Sequence, residues 1–475
     1  MRKLAFHVIV MLVLAVPVLA ASKEPSRDAW MGVYLGPTKI GYMHTTVTRD
    51  KLDGKDVYCM RETLVSRLRI EGKRVRRDST TTLYFGDDLK PIRGVYEDDD
   101  NGVITRVEAR FQPGRILCTS DSGGVTSARN VTIPSGADLS ARLVYELGRK
   151  TLRVGDEVSA ASFDSAMMSV ITETLKAVRR EDVTYQGKKR SATVVVHGTG
   201  RSEVTDWRLD SGDLVKSEIR GIGATMVAQS KDTAQALMEE TGPDLDVVKA
   251  DKPIANPRRV SQLDLRLIGV PDKALVISDS QQSAEYSEQT LTATYHIRRS
   301  ANASATSAKM PAKASDLDQY RKPTEGIESR DGSIVSQARK IVSGEKNTLT
   351  AAGKLRLWVQ TSVVPSDTTS TALSAVDVLK KRTGCCRHNA VLYAALARAA
   401  GIPTRLAGGL IYDSGSFRFH VWAESWVGGW VCLDPTYPGE FVDATHVKLV
   451  EGNLEDLPAL GRVAGRLKAE IISAK

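Results

Sequence analysis

The chain has 475 residues, of which 41% are hydrophobic and 26% charged, so collagen, coiled coil and wholesale disorder are excluded and roughly two to four globular domains are expected. Lysine and arginine number 66 against 57 aspartates and glutamates, which gives a formal net charge of +9. Because the two signs are mixed and the basic residues form no long run, this charge does not indicate a nucleic-acid partner.

Residues 1–21 have the pattern of a secretory signal peptide. Arg2 and Lys3 give a positive start, an apolar run follows from Val8 to Val18, and small residues end the segment near Ala20. The run is shorter than the roughly 20 apolar residues that a membrane-spanning helix needs, so cleavage is favoured over anchoring. We therefore expect an exported protein, periplasmic or secreted, with no transmembrane segment after cleavage.

Residues 22–245 predict a large antiparallel β domain. From about Trp30 to Ile133, alternating or β-branched runs such as 103–111 are separated by Asp-Gly and Asn-Gly turn pairs. A short helix is predicted at 138–147, and more strands follow it. A large sheet curling around one helix loosely resembles the lipid-binding half-barrels of envelope carrier proteins, which implies a lipid or peptide ligand for this domain.

Residues 246–322 predict a short β segment that leads into a linker. Strands are expected at 262–267, 275–277 and 291–297. The stretch from 300 to 315 is rich in alanine, serine and threonine, a composition that is typical of a linker or a long exposed loop.

Five cysteines are present: Cys59, Cys118, Cys385, Cys386 and Cys432. The number is odd, so at least one thiol has no partner within the chain. Cys59 and Cys118 are either a disulfide in an oxidising compartment or two separate buried thiols, and the sequence leaves both open. The adjacent pair does not have the spacing of zinc ligands, so we expect no metal and no other cofactor.

Residues 323–475 change to helical spacing. Apolar residues recur every three or four positions from Ile334 and again from Leu349, which predicts two helices. Ser374 and Asp377 have the spacing of a capping box that opens a third helix.

The fourth predicted helix, Cys386–Ala400, begins with a cysteine. It is apolar over most of its circumference, as a buried helix is. Unpaired N–H groups and the dipole at its start favour a thiolate and can stabilise an oxyanion. Cys385 lies about 100° away around a helix, so Cys386 is the candidate nucleophile. The alternative for such a cysteine is a small buried hydrophobic residue.

Two strands after this helix carry a candidate base and a candidate orienting carboxylate, His420 and Asp434. A Gly-Gly hairpin joins the strands. A two-residue loop would place the two side chains on opposite faces, whereas a three-residue bulged loop that pairs 426 with 430 places them on the same face. We predict the bulged loop, or an equivalent irregularity near Asp434. Gly429 is able to take the left-handed position that such a loop requires.

Together these motifs resemble the transglutaminase-like superfamily over roughly residues 330–450. The matching motifs are Gly384-x-Cys386, Gly401-Ile402-Pro403-x-Arg405, His420-x-Trp422-x-Glu424 and Asp434-Pro435-Thr436. The resemblance implies an α+β fold: a papain-like C-terminal domain at 323–475, preceded by the large antiparallel β-rich N-terminal region. It also implies a triad, with Cys386 as nucleophile, His420 as general base and acid, and Asp434 as orienting group.

The resemblance implies acyl transfer on the peptide or amide bonds of a protein or peptide substrate, through a thioester on Cys386. Water as acceptor would make the protein a peptidase or amidase, and a lysine-like amine would make it a crosslinking transglutaminase. We expect hydrolysis, as in bacterial-looking relatives with such a signal. The alternative of another class is a non-catalytic envelope protein that binds a ligand. A second cysteine, Cys385, directly before the candidate nucleophile is unusual. Its oxidation together with Cys386 would block the site.

Overall fold

The computed structural model divides after Leu245 into two compact units. The residues that it describes are 27–70, 73–122, 124–147, 150–165, 168–198, 203–236, 245, 247–299, 308–310, 312, 315–365, 374–439 and 441–475. The predicted signal peptide, 1–21, and most of the predicted linker, 300–315, lie outside them. Among the described residues, no helix has the length and apolar character needed to cross a membrane.

The first unit is built on one antiparallel sheet, which has fourteen strands within the described residues. The strands are β1 Arg27–Leu35, β2 Thr38–Leu52, β3 Lys55–Ile70, β4 Lys73–Phe85, β5 Pro91–Asp100, β6 Val103–Gln112, β7 Arg115–Ser122, β8 Val125–Thr132, β9 Glu157–Asp164, β10 Ser169–Tyr185, β11 Lys188–His197, β12 Val204–Arg208, β13 Leu214–Ile219 and β14 Ala224–Gln229. The meanders β1–β8 and β9–β14 join where β1 pairs with β14. The antiparallel prediction for this region is confirmed.

Two short helices accompany this sheet, α1 (Ala141–Glu146) and α2 (Lys231–Gln235). Leu143 of α1 packs with apolar side chains of β2, β3 and β4. Tyr145 of the same helix packs with side chains of β9, β10 and β11. Since strands from both halves of the sheet meet α1, the sheet curls around it, as the sequence predicted.

No disulfide joins the five cysteines, all of which lie in the described residues. Cys59 lies in β3 and Cys118 in β7. These strands are four steps apart in the sheet, and each step is about 4.8 Å, so the two sulfurs are too far apart to bond. Of the two alternatives that the sequence left open, separate thiols are correct.

The second unit contains helices and three small sheets. Its helices are α3 Gly332–Val342, α4 Thr348–Ser362, α5 Ala375–Lys381 and α6 Cys386–Ala399. Its strands are β15 Val247–Lys249, β16 Gln262–Ile268, β17 Gln282–Ser287, β18 Thr292–Arg298, β19 Val364–Pro365, β20 Thr383–Gly384, β21 Thr404–Asp413, β22 Ser416–Trp426, β23 Trp430–Leu433, β24 His446–Gly452 and β25 Lys468–Ala474. The central sheet has the order β15-β22-β21-β24, with β23 also beside β22.

The core of this unit forms around α6. Its residues from Arg387 to Arg398 are all buried, and its alanines at 390, 394 and 397 are completely so. The helix packs against α3, α4 and α5 and against β21 and β22. Small side chains let the backbone of a helix approach its neighbours closely. The four helices that the sequence predicted here are confirmed, including the capping box of Ser374 and Asp377.

The β segment before the linker belongs to this second unit. Its strand β16 lies between β18 and β25, in a sheet of order β17-β18-β16-β25, so it pairs with the end of the chain. The strand predicted at 275–277 is wrong: Lys273–Leu275 is a 3-10 turn, because the Asp272 carboxylate accepts the Ala274 N–H at 2.8 Å. The strand next to β18 is instead β17.

Candidate active site

The hairpin β22–β23 sets the register of the candidate site. Trp426 pairs with Trp430 and Glu424 with Cys432, which confirms the predicted bulged register. The positive φ of the loop, +117°, belongs to Gly428 and not to Gly429, the glycine that the sequence suggested for this role. The loop closes with a 2.9 Å hydrogen bond from the Val427 N–H to the Gly429 carbonyl, so it is Gly428 that turns the chain.

His420 of β22 and Asp434, just after β23, form a buried pair. His420 Nε2 lies 2.8 Å from Asp434 Oδ2, and Asp434 Oδ1 accepts the Thr436 N–H at 2.7 Å. Burial opposes ionisation of Asp434, but the charge and hydrogen bond of His420 outweigh it and hold the pKa of this carboxyl well below its usual value. An ionised carboxylate only accepts hydrogen bonds, so His420 donates through Nε2 and its Nδ1 is left for another partner.

A glycine opposite His420 lets a neighbouring strand approach. Gly409 of β21 pairs with His420 across the sheet. A Cβ at 409 would lie 1.9 Å from the Val447 carbonyl oxygen of β24. Any side chain there would push β24 away from the strand that carries His420, so this position requires glycine.

Cys386 is the first residue of α6, next to the loop that carries Asp434. Asn389, in the same first turn, donates its side-chain amide to the Pro435 carbonyl at 3.3 Å. The ring of Tyr437 lies 5.4 Å from that of His420. Burial raises the pKa of Tyr437 to about 12, with contributions from nearby negative groups that include Asp434 and Cys386. The start of α6 and the loop after β23 are therefore neighbours.

Cys385 forms a second thiol–imidazole contact. Its backbone N–H donates to His388 Nδ1 at 3.0 Å, and its sulfur lies 3.3 Å from the same nitrogen. A hydrogen bond from the Cys386 thiol is the main reason that the pKa of Cys385 is well below its usual value, and His388 adds to this against the effect of burial. The sequence missed this pair because Cys385 is the extended N-cap residue, where helical angles do not apply.

His446 of β24 also reaches the site, which the sequence did not indicate. Its Nε2 lies 3.2 Å from Asp434 Oδ2, the same oxygen that His420 contacts. Its Nδ1 lies 3.3 Å from the Asp443 carbonyl oxygen and 3.6 Å from the Asp443 carboxylate. Burial lowers the pKa of His446, but hydrogen bonds to the two aspartates raise it above its ordinary value. The contact follows from the packing of β24 beside β21, and no local motif marks it.

Glu424, on the face of β22 that carries His420, belongs to a buried charge network. Its carboxylate lies 2.7 Å from Arg405 Nε and 2.6 Å from Lys448 Nζ. Lys448 also lies 2.5 Å from Asp279. The Cys432 thiol donates to Glu424 at 3.0 Å, and burial next to this carboxylate raises the pKa of Cys432. Glu424 thus supports the sheet, and Cys432 is a packed thiol.

Two groups of side chains place potential metal ligands within 4.8 Å of one another: His420 with Asp434 and His446, and Asp279 with Glu424 and Glu451. In the second group the Lys448 ammonium lies within 2.8 Å of all three carboxylates and already supplies a cation. In the first group, hydrogen bonds from two imidazoles to one carboxylate account for the arrangement.

The part of the chain that contains this site matches a known protein family. Residues 335–435 match the model of the transglutaminase-like superfamily, a span that contains Cys386, His420 and Asp434. Comparison with curated proteins gives no match.

Two solved structures are similar in part. A "Putative Cysteine Protease" from Cytophaga hutchinsonii has 18% identity and a TM-score of 0.32, over 46% of this chain and 86% of that one. A "Beta-barrel-like Protein" of a domain of unknown function from Brucella abortus has 12% identity and a TM-score of 0.34, over 45% of this chain and 97% of that one. By its family match, the C-terminal part of the chain is a transglutaminase-like domain, and the large antiparallel sheet precedes it.

Proposed function

We propose that the protein is an exported cysteine enzyme that hydrolyses peptide or amide bonds through a thioester on Cys386. The observation that carries the proposal is the buried 2.8 Å contact between His420 Nε2 and Asp434, next to the start of the helix that Cys386 opens. Export rests on the sequence of residues 1–21.

In the proposed first step, Nδ1 of His420 takes the proton of the Cys386 thiol. Asp434 holds the other ring nitrogen and stabilises the imidazolium that results. The thiolate attacks the substrate carbonyl, and N–H groups in the first turn of α6 stabilise the oxyanion. His420 then protonates the leaving amine, which leaves the acyl group on the Cys386 sulfur.

In the second step, a water molecule gives a proton to His420 and attacks the thioester carbonyl. The carboxylic acid product leaves, and the sulfur regains its proton. A primary amine in place of water would give an amide, which is the crosslinking alternative. The chemistry on the protein side is the same in both cases, so the acceptor has to be identified by experiment.

The test uses the full chain and its Cys386→Ala variant with an unfolded protein substrate, with and without a fluorescent primary amine. We expect new peptide termini from the unsubstituted protein and none from the variant. Incorporation of the amine without cleavage would contradict hydrolysis and support crosslinking. Neither product at any pH between 5 and 9, from a folded protein, would contradict the proposal and favour the ligand-binding alternative.

A further inference from the structure

The surroundings of His446 are unusual because both of its ring nitrogens face acceptors. Nε2 faces the Asp434 carboxylate at 3.2 Å, and Nδ1 faces the carbonyl and carboxylate oxygens of Asp443 at 3.3 and 3.6 Å. A neutral imidazole has one N–H donor, and only the imidazolium has two. The side chain is 3% exposed, so a neutral ring would leave one nitrogen lone pair facing an acceptor oxygen away from bulk solvent.

The charges around His446 fit an imidazolium. Asp434 and Asp443 are both held ionised, the second with a pKa of about 2, where burial is outweighed by His446 and Arg258. Arg258 Nη1 lies 2.9 Å from Asp443 Oδ2. With His446 protonated, the two carboxylates face two cations, and the Cys386–His420 pair of the proposed mechanism adds no net charge.

We propose, resting on the proposed function, that His446 is a positioning residue whose imidazolium shares Asp434 Oδ2 with His420 and so weakens the stabilisation that Asp434 gives to the His420 imidazolium. The oxygen that orients His420 divides its negative charge between two N–H donors. His420 is then a stronger acid than it would be with Asp434 to itself. That property matters when His420 gives its proton to the leaving amine.

The groups that face His446 come from several elements. Asp434 follows β23, Asp443 lies in the loop before β24, and His420 lies in β22, with its ring 5.8 Å from that of His446. The ring of Trp422 lies 5.3 Å away, edge to face, and brings no charge. Further ionisable groups here are Arg258, which pairs with Asp443, and Tyr437, which lies beside His420 and is itself neutral over the pH range of the test. Lys448, two residues along β24 from His446, is paired with Glu424 of β22.

The test is the pH profile of the alkylation of Cys386 by iodoacetamide. It uses a Cys385→Ser protein, in which Cys386 is the remaining thiol of the adjacent pair. Alkylation of the peptide that contains Cys386 is followed by mass spectrometry between pH 4 and 10. In an enzyme of this kind the profile has an inflection where the thiolate–imidazolium pair forms and another where the imidazolium loses its proton.

His446→Gln keeps an N–H donor in the place of Nε2 but carries no charge. We expect the upper inflection to move to higher pH by about one unit, because removing a positive charge close to His420 favours its protonated form. His446→Ala, which also removes the donor, should lower the alkylation rate as well. The matched control is His197→Gln in the first unit, a buried histidine that lies between Glu173 and Asp206.

An upper inflection that does not move in a folded His446→Gln variant would overturn this inference. It would leave the proposed function in place if His420→Ala still slows alkylation strongly. Slow alkylation of the background protein, with a single inflection near pH 8.5 and no effect of His420→Ala, would instead refute the proposed function. A shift of equal size in the His197→Gln control would also overturn the role of His446, since it would show a general effect on the fold.

Discussion

Asn389, three residues after Cys386, donates its side-chain amide to the carbonyl oxygen of Pro435, the residue that follows Asp434, at 3.3 Å. One hydrogen bond thus links the helix that carries the proposed nucleophile to the loop that carries the proposed orienting group. Both partners are in the transglutaminase-like domain, and Asn389 is buried. The bond ties the first turn of α6, which Cys386 opens, to the loop that follows Asp434.

Asn389→Ala should therefore slow the alkylation of Cys386, while the free energy of unfolding falls only modestly. Loss of one hydrogen bond costs about 1 kcal/mol in the free energy of unfolding. Asn389→Asp is the matched comparison, since a carboxylate cannot donate to the Pro435 carbonyl and repels it. Urea denaturation and alkylation rates measure the two effects. Unchanged alkylation in both variants would mean that this bond does not position the sulfur.

Alkylation at neutral pH should separate the five cysteines into two groups. The pKa of Cys385 is lowered, mainly by the hydrogen bond from the Cys386 thiol, whereas burial raises the pKa of Cys59, Cys118 and Cys432. We expect the peptide with the vicinal pair to be labelled first and the other three sites to be labelled only on unfolding. Comparable labelling of Cys432 in the native protein would contradict the assigned environments.

The vicinal pair should also make the protein sensitive to peroxides. Attack of a thiolate on a peroxide gives a sulfenic acid and releases an alkoxide or hydroxide, and the second thiolate can then displace hydroxide to close a disulfide. We expect peroxide to stop Cys386 alkylation reversibly, with recovery in dithiothreitol. After peroxide treatment, the peptide that contains both thiols should have lost two hydrogen atoms by mass spectrometry, whereas the same peptide of the Cys385→Ser protein should have gained oxygen. Gain of oxygen without loss of hydrogen in the unsubstituted protein would exclude Cys385 as the partner thiol.

The stability of the second unit should fall at both ends of the pH range, for opposite reasons. The folded pKa of Asp434 is below the unfolded value of about 3.9, so its stabilisation is present above that pH and is lost as the pH falls. The folded pKa of His446 is above the unfolded value of about 6.5, so its stabilisation is present below that pH and is lost as the pH rises through the folded value.

Urea titrations across this range measure both effects. Asp434→Asn should flatten the acid side of the curve, and His446→Gln should flatten the side above pH 6.5. A curve for His446→Gln that is parallel to that of the unsubstituted protein above pH 6.5 would show that His446 is not preferentially protonated in the folded state.

Lys448 should be essential to the fold of the second unit. Lys448→Met would leave Arg405 as the cation beside Glu424 and Glu451 and would remove the ion pair of Asp279. Breaking a buried ion pair in this way costs about 3–5 kcal/mol. Arg266→Met is the control, because its pair with Glu470 is exposed and should contribute less than about 1 kcal/mol. Equal losses in the two variants would contradict a special role for Lys448.

Local patterns predicted much of the second unit. The Gly-Gly loop together with strand alternation predicted the pairing of Trp426 with Trp430, because a slip of one residue would send Asp434 to the opposite face from His420. The helix that begins at Cys386 was predicted in the same way, from its apolar circumference and its stop at Gly401. These features depend on residues close together in the sequence.

Long-range contacts could not be predicted. The pairing of β16 with β25 joins segments about two hundred residues apart, and nothing in either strand names its partner. His446 reaches Asp434 because β24 packs beside β21, and its own sequence neighbourhood gives no sign of this. The sequence also could not decide which glycine turns the hairpin, because two adjacent glycines are equally able to adopt a positive φ. In the structure it is Gly428.

The most direct test of the central claim is the rate of Cys386 alkylation at pH 7 in the Cys385→Ser protein, with and without His420→Ala. An imidazole that ionises the sulfur predicts rapid alkylation that falls at least about tenfold when His420 is removed. Equal rates in the two folded proteins, both at the level of an ordinary thiol, would show that no histidine activates Cys386.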